Sequence, residues 1–241
     1  FGVGADGLIL ALRDGSCDAR MRFFNADGSE DQMCGNGIRC LAKYVYDQGL
    51  TRSNPMRVAT GAGEKTIDLE IDQNAKVVAA TVDMGEPVFS GREIPTTFDE
   101  GQIIDVPLTV AGERYRVTCL SMCIPHAVVF VNDLATVDLN RVGPAFEHHA
   151  TFPERVNVHF ARIETENEIR MITWERGCGV TLACGTGASA VCVAGALTGR
   201  SGRAITARLP GGDLQIQWRK KDGHVLMTGP ASEVFRGTIR L

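Results

Sequence analysis

Residues 18–50 read DARMRFFNADGSEDQMCGNGIRCLAKYVYDQGL, and residues 168–200 read EIRMITWERGCGVTLACGTGASAVCVAGALTGR. The two segments align without a gap at an offset of 150 residues and share six identical positions. Among these are the residues of a repeated Cys-Gly-x-Gly motif at 34–37 and 184–187. A period this long is not that of a solenoid, so the sequence predicts two homologous domains.

Each half has the same predicted order of elements: strand, turn, Cys-Gly-x-Gly, helix, strand, hairpin, strand. Helices are predicted over 40–49 and 189–199, and each is ended by a glycine. Residues 66–72 and 213–219 alternate between apolar and polar side chains after glycine-rich turns, which is typical of hairpin strands. We therefore expect an α+β fold of two pseudo-symmetric domains, each with antiparallel strands wrapped around a central helix. The predicted domains are 1–83 plus 231–241, and 84–230.

The composition excludes several classes of protein. The chain has 241 residues, 44% of them hydrophobic and 22% charged, with a net charge of −4, which indicates a folded globular protein without a basic surface for nucleic acid. No export signal or membrane span is recognised, so we expect a cytoplasmic protein without a nucleic-acid or membrane partner. The eight cysteines form no C-x-x-C pair and no tight cluster with histidine, so we expect reduced thiols and no metal site.

Two cysteines, Cys34 and Cys184, directly precede Gly-x-Gly and a predicted helix. Unpaired backbone N–H groups at a helix start stabilise a thiolate and attract a carboxylate. If the two domains face each other about a pseudo-two-fold axis, one thiolate can remove an α-proton while the other thiol donates a proton to the opposite face of the carbon. This chemistry is that of a racemase. The alternative is that both are small buried hydrophobic residues in a repeated turn, which is how we interpret Cys17, Cys40, Cys119, Cys123, Cys178 and Cys192.

Four segments of the sequence resemble motifs of the diaminopimelate epimerase family, and the similarity extends over nearly the whole chain. They are NADGSEDQMCGNGIRC (25–40), PHAVVFV (125–131), FPERVN (152–157) and WERGCGVTLACGTGASA (174–190). Members of this family convert LL-2,6-diaminopimelate to the meso form without pyridoxal phosphate. The resemblance therefore implies a cofactor-independent isomerase of lysine and peptidoglycan precursor biosynthesis, with a small amino-acid substrate, no metal, the family's fold and a homodimeric state.

The resemblance also implies roles for individual residues. Cys34 and Cys184 would be the catalytic acid/base pair. Arg176 offers a fork for a carboxylate, and Glu175 offers an anion for an ammonium group. His126 matches the family's Pro-His and is expected near a catalytic thiol, although a single histidine before an apolar run is also compatible with a structural role. The implied substrate-binding residues are Asn25, Gly35, Asn36, Asn157, Glu175, Arg176, Gly185 and Thr186.

Two departures from the family pattern leave alternatives open. Where the family usually has Gly-Asn-Pro-His, this chain has Cys123-Ile124-Pro125-His126, so an apolar side chain replaces an amide expected to contact the substrate. A racemase of the same fold for another amino acid is therefore an alternative. The family also has a strand and a Gly-Asn-Asp-Phe loop ahead of the position of Phe1, so either the sequence is a fragment or the protein lacks that loop. A non-catalytic amino-acid-binding homologue is the second alternative.

Overall fold

The chain divides into two compact units in the computed structural model, which describes residues 4–5, 7–98 and 101–238. Unit one contains Phe1–Val82 and Thr228–Leu241, and unit two contains Asp83–Met227. Each unit includes one copy of the Cys-Gly-x-Gly segment. The final strand of the chain, β15, covers Val225–Pro230.

Unit one has one helix and a sheet in the strand order β1-β2-β4-β5-β6, with the short β3 paired to β2. Its elements are β1 (Gly7–Leu12), β2 (Ala19–Asn25), β3 (Glu30–Asp31), α1 (Gly35–Asp47), β4 (Met56–Thr60), β5 (Gly63–Ile71) and β6 (Val77–Asp83). One face of α1 packs on β1, β2 and β5. That face is buried through Ile38, Leu41, Ala42 and Val45.

The helix α1 begins directly after Cys34, earlier than the sequence predicted. The Sγ atom of Cys34 accepts a hydrogen bond from the backbone N–H of Gly37 at 3.3 Å, so the cysteine itself caps the helix. The helix ends where Gly49 adopts a positive φ of 71°, as the glycine stop predicted.

Unit two has a sheet in the order β14-β13-β11-β10-β9-β8-β7, with β12 paired to β11. A 3-10 helix (Leu134–Thr136) precedes α2. The elements of the unit are β7 (Ile103–Val110), β8 (Glu113–Ser121), β9 (Pro125–Phe130), α2 (Leu139–Glu147), β10 (Asn157–Thr165), β11 (Glu168–Glu175), β12 (Gly179–Thr181), α3 (Gly185–Leu197), β13 (Ala204–Leu209) and β14 (Gly212–Trp218).

The helix α3 is the centre of unit two. Its sequence, GTGASAVCVAGAL, is apolar or small on all sides, a pattern typical of a helix that is surrounded by protein. Residues 187–195 are buried, and the helix packs on β8, β9, β10, β13 and β14. No helix in the described part of the chain is long and apolar enough to cross a membrane.

The predicted α+β class is confirmed, although the sheet is mixed rather than purely antiparallel. The pairs β2–β4, β9–β10 and β11–β13 are parallel. Each of these pairs brackets one helix of the chain: α1, α2 and α3 respectively. A strand that follows a crossover helix returns parallel to the first strand, which explains why hairpin patterns alone predicted only antiparallel pairing.

Candidate active site

Cys184 lies at the start of α3, the most buried helix of unit two. It is the N-cap residue, with an extended backbone (φ −129°, ψ 108°), and its side chain is buried. The extended strand β11 and the short β12 lead into this turn, and they place Glu175 and Thr181 next to the cysteine. A reactive group is therefore held at a rigid junction of sheet and helix.

The carboxylate of Glu175 contacts the Cys184 thiol. The thiol donates to Oε2 of Glu175 at 3.1 Å, while the hydroxyl of Thr181 donates to Oε1 at 2.5 Å. Oγ1 of Thr186 lies 3.5 Å from the same sulfur. Burial, and then the negative charge of Glu175, raise the pKa of the Cys184 thiol well above its ordinary value. The backbone N–H of Gly187 at the helix start favours the thiolate, as expected, but burial and Glu175 outweigh it, so Cys184 is held as a thiol.

Two buried side chains position the Glu175–Gly177 turn. Oδ1 of Asn157 accepts the backbone N–H of Arg176 at 2.7 Å. On α2, Glu147 accepts the Gly177 N–H at 3.0 Å through Oε1, and the indole N–H of Trp174 at 2.7 Å through Oε2. Asn157, expected to contact substrate, thus also orients the turn that carries Glu175 and Arg176.

A chain of three buried side chains lies beneath the start of α3. Nδ1 of His126 is 2.8 Å from Nε2 of His159, and Nδ1 of His159 is 3.0 Å from Oγ1 of Thr173. Both histidines are fully buried, and burial lowers the pKa of His159 to about 3. Burial, followed by the nearby His159 and Arg176, also holds the pKa of His126 well below its ordinary value. Both imidazoles are therefore neutral near pH 7.

Cys34 occupies the equivalent place in unit one, with a different charge nearby. Its backbone is also extended (φ −125°, ψ 115°), and it is partly buried. Arg39, on the next turn of α1, is buried and donates to the carbonyls of Gly35 at 3.2 Å and Pro230 at 3.4 Å. Burial lowers the pKa of Arg39, and the negative charge of an ionised Cys34 opposes that shift. Cys34 therefore has a guanidinium in its surroundings where Cys184 has a carboxylate.

Similarity to known proteins identifies the family of this chain. A sequence model described as diaminopimelate epimerase matches residues 1–90 and 118–234. The chain is 51% identical to the diaminopimelate epimerase of Moorella thermoacetica over 241 residues, which is 100% of this chain and 86% of that protein. The chain belongs to the diaminopimelate epimerase family. The enzyme of the same name from Methanococcus maripaludis is 46% identical over 239 residues, covering 99% of this chain and 86% of its own length.

Solved structures support the fold of this diaminopimelate epimerase family member. A probable proline racemase from Agrobacterium radiobacter superposes with a TM-score of 0.69 at 16% identity, over 98% of this chain and 75% of that one. A hydroxyproline epimerase from Agrobacterium vitis gives 0.66 at 18% identity, over 93% and 71%. At these identities the likeness concerns the fold alone. The predicted resemblance to the diaminopimelate epimerase family is confirmed.

The structure groups the residues implied by the family resemblance within each unit. In unit two, the start of α3 provides Cys184, Gly185 and Thr186, and the ends of adjoining strands provide the other four: His126, Asn157, Glu175 and Arg176. In unit one, Cys34, Gly35 and Asn36 form the start of α1, while Asn25 ends β2 and donates to Oγ of Ser29 at 3.1 Å. Within the described residues, no group of three or more His, Cys, Asp or Glu side chains is placed to hold a metal ion.

Sequence reasoning missed several polar residues of this epimerase site. His159 follows Asn157 by two positions in β10, so strand alternation could have placed both on the inward face. Thr173 is the direct partner of His159 across β10 and β11, and that pairing requires the fold. Glu147 ends α2 with no motif around it, and only its buried hydrogen bonds reveal its role.

Proposed function

We propose that this protein is an isomerase that interconverts LL- and meso-2,6-diaminopimelate without pyridoxal phosphate, with Cys34 and Cys184 as the acid/base pair. Membership of the family supports the reaction, and the relatives named above are diaminopimelate epimerases. The observation that carries the mechanism is a pair of cysteines at equivalent helix starts, one of which, Cys184, donates its thiol proton to Glu175. Inversion of a stereocentre needs a base on one face of the carbon and an acid on the other.

The contact between Cys184 and Glu175 supports an assignment of direction. Cys184 donates its S–H to Glu175 and is held as a thiol, so it is the proton donor in the LL-to-meso direction. Because inversion needs one base and one acid, Cys34 is then the base. The Cys34 thiolate takes the α-proton and becomes a thiol. Cys184 then donates its proton to the opposite face of the carbanion and becomes a thiolate, so the proton count balances.

The glycines beside both cysteines suit the negative charge that builds during the reaction. Removal of the α-proton pushes electron density onto the α-carboxylate, and the N–H groups of a helix start stabilise that density. Gly35 with Asn36, and Gly185 with Thr186, supply these groups at the two helix starts. We assign Arg176 to a substrate carboxylate because its guanidinium makes only one hydrogen bond, from Nη1 to the Glu154 carbonyl at 3.0 Å, among the described residues.

The remaining parts of the proposal rest on the family. We assign Asn25 and Asn157 to the polar groups of the substrate and Glu175 to an ammonium group in addition to its contact with Cys184. We assign the reaction to lysine and peptidoglycan precursor biosynthesis, the protein to the cytoplasm and its quaternary structure to a homodimer. We also propose that the two homologous halves of the epimerase fold are residues 1–83 plus 231–241, and residues 84–230.

The test of the proposed reaction is incubation of the purified protein with LL-diaminopimelate. We expect the meso isomer to appear, resolved by chiral chromatography, with no added pyridoxal phosphate. L-Proline and L-glutamate incubated in parallel serve as the comparison substrates. Turnover of either of them, with none of LL-diaminopimelate, would contradict the proposal.

A racemase for another amino acid remains the second candidate because of one residue. Ile124 lies in the β8–β9 turn, immediately before Pro125 and His126, and is partly buried. An apolar side chain there cannot hydrogen-bond an ammonium or carboxylate group. Ile124→Asn separates the two readings, since it should improve the turnover of LL-diaminopimelate if the site is built for another amino acid. Binding of diaminopimelate without α-proton exchange would instead support the non-catalytic homologue.

A further inference from the structure

The internal duplication allows each residue of unit two to be compared with the residue at the equivalent position of unit one. At the offset of 150, His159 corresponds to Ile9 and Thr173 to Phe23. Ile9 pairs with Phe23 across β1 and β2, and His159 pairs with Thr173 across β10 and β11, in the same register. The second half therefore has a polar pair where the first half has an apolar pair.

One member of each pair, Ile9 or His159, packs against the second glycine of the Cys-Gly-x-Gly motif. A Cβ atom on Gly37 would lie 2.5 Å from Cδ1 of Ile9, and a Cβ atom on Gly187 would lie 2.2 Å from Cε1 of His159. An aliphatic side chain satisfies this packing in unit one. Burial of an imidazole and a hydroxyl costs free energy unless their hydrogen bonds are made, so packing alone does not account for His159.

The buried hydroxyl of Thr173 determines which atoms donate and which accept in this series of hydrogen bonds. If Thr173 donates to Nδ1 of His159, then Nε2–H of His159 donates to Nδ1 of His126, and the proton of His126 is on Nε2. If Thr173 accepts instead, its own hydroxyl hydrogen needs another acceptor, and it has none among the described residues. A buried donor without an acceptor is costly, so the first direction is favoured.

The final nitrogen in this series of hydrogen bonds has no partner of its own among the described residues. Nε2 of His126 is buried and has no hydrogen-bond partner within the part of the chain that the structure describes. Such a group in a folded protein calls for an explanation, and an N–H aimed at a ligand is one. The groups nearest this histidine that affect its charge are His159 and Arg176.

We propose that Thr173 and His159 are positioning residues, which fix His126 as the neutral tautomer with its proton on Nε2, a hydrogen-bond donor to an anionic atom during the reaction. The inference rests on the proposed function for its role in catalysis, but the tautomer itself does not depend on that function. The anionic acceptor is either a thiolate sulfur or a substrate carboxylate oxygen. A neutral donor stabilises either one without adding a charge to the buried site.

The first test is the tautomer of the wild-type protein, measured by NMR with 15N-labelled histidine. The protein has five histidines, and His126→Asn and His159→Gln assign the two signals. We expect a proton on Nε2 and none on Nδ1 for both His126 and His159 at pH 7. A proton on Nδ1 of His126, or an imidazolium at either position, would overturn the proposal whether or not the protein is an epimerase.

The second test uses substitutions of similar shape, and His159→Ile introduces the residue type that unit one has at the equivalent position, Ile9. His159→Ile and Thr173→Val remove the directing groups, while His159→Gln and Thr173→Ser keep a donor. We expect mixed His126 tautomers and a kcat lowered about tenfold or more in the first two, since an oriented hydrogen bond to a charged group is worth about 1.5–3 kcal/mol. Rescue by Gln and Ser supports the positioning role. An unchanged His126 tautomer in His159→Ile would overturn it.

A third measurement identifies the acceptor. Diaminopimelate is added to wild-type protein, to Cys34→Ala and to Cys184→Ala, and the Nε2–H signal of His126 is followed. A shift in all three proteins identifies a substrate oxygen, and a shift that is lost with one of the cysteines identifies the thiolate of that cysteine. No shift in any of the proteins contradicts the donor role. A protein with the expected tautomer but no epimerase activity would contradict the proposed function and not the assignment of the tautomer.

Discussion

Acidification from pH 7 to pH 5 should destabilise unit two through its histidine pair. His126 and His159 are fully buried, and burial holds both pKa values far below those of an unfolded chain, to about 3 for His159. The unfolded chain takes up two protons as the pH falls below about 6.5, while the folded chain does not. Stability is therefore complete above that pH and is lost progressively as the pH falls towards the folded pKa values.

The size of this loss of stability follows from the difference between pH 5 and the pKa of a histidine in the unfolded chain, about 6.5. His159, with a folded pKa of about 3, contributes about 2 kcal/mol of lost stability at pH 5, and the lowered pKa of His126 adds to that loss. Carboxylates whose folded pKa is lowered, such as Asp18 and Asp47, titrate in the unfolded chain near pH 4 and contribute mainly below this window. The pH interval thus isolates the histidine pair from the carboxylates.

The assay is urea unfolding at pH 7, 6 and 5, at constant ionic strength, followed by tryptophan fluorescence. Both tryptophans, Trp174 and Trp218, lie in unit two and report on the unit that contains the histidines. His159→Gln is the matched variant, because it removes one of the two titrating groups and should lose about 2 kcal/mol less than the wild type between pH 7 and 5. A wild-type loss below about 1 kcal/mol, or an equal loss in the variant, would refute the reasoning.

Two substitutions near the active site test its packing and its supports. Gly187→Ala places a Cβ atom 2.2 Å from Cε1 of the buried His159 ring, so urea unfolding should show a loss of stability of about 1–3 kcal/mol. Gly15→Ala is the control, because a Cβ atom there would have no neighbouring atom of the described residues within 4 Å. It should change the stability by less than about 0.5 kcal/mol. Glu147→Gln removes the charged acceptor of the Trp174 indole N–H, which lies at 2.7 Å. It should lower the free energy of unfolding by about 1–3 kcal/mol and lower kcat. A variant as stable as the wild type would contradict the role of Glu147.

The sequence predicted the parts of the fold that depend on local pattern. The repeated Cys-Gly-x-Gly motif correctly indicated two equivalent helices, because a capping residue and glycines are local signals, although both helices begin earlier than the predicted 40 and 189. The three parallel strand pairs were missed, since parallel pairing follows from which strands a crossover helix joins. A hairpin pattern carries no information about that choice.

The site was predicted in its residue types and less well in its electrostatics. Local reasoning placed both cysteines at helix starts and so expected thiolates. It could not foresee that burial and Glu175 together outweigh the helix start at Cys184, because Glu175 is nine residues away in sequence and reaches the sulfur only through the β11–β12 turn. His159 was missed for the same reason, as its partner Thr173 lies on the next strand.

The most direct test of the two-cysteine mechanism is isotope incorporation in deuterated water. With LL-diaminopimelate and initial-rate conditions, deuterium should enter the meso product but not the remaining substrate, because Cys184 donates a solvent-derived deuteron while Cys34 retains the abstracted proton. Cys34→Ala and Cys184→Ala should each lower turnover by at least about 100-fold, while Cys40→Ala, an exposed cysteine on α1, should keep it. Deuterium in both substrate and product at equal rates, or either active-site alanine variant above about a hundredth of wild-type turnover, would contradict the mechanism.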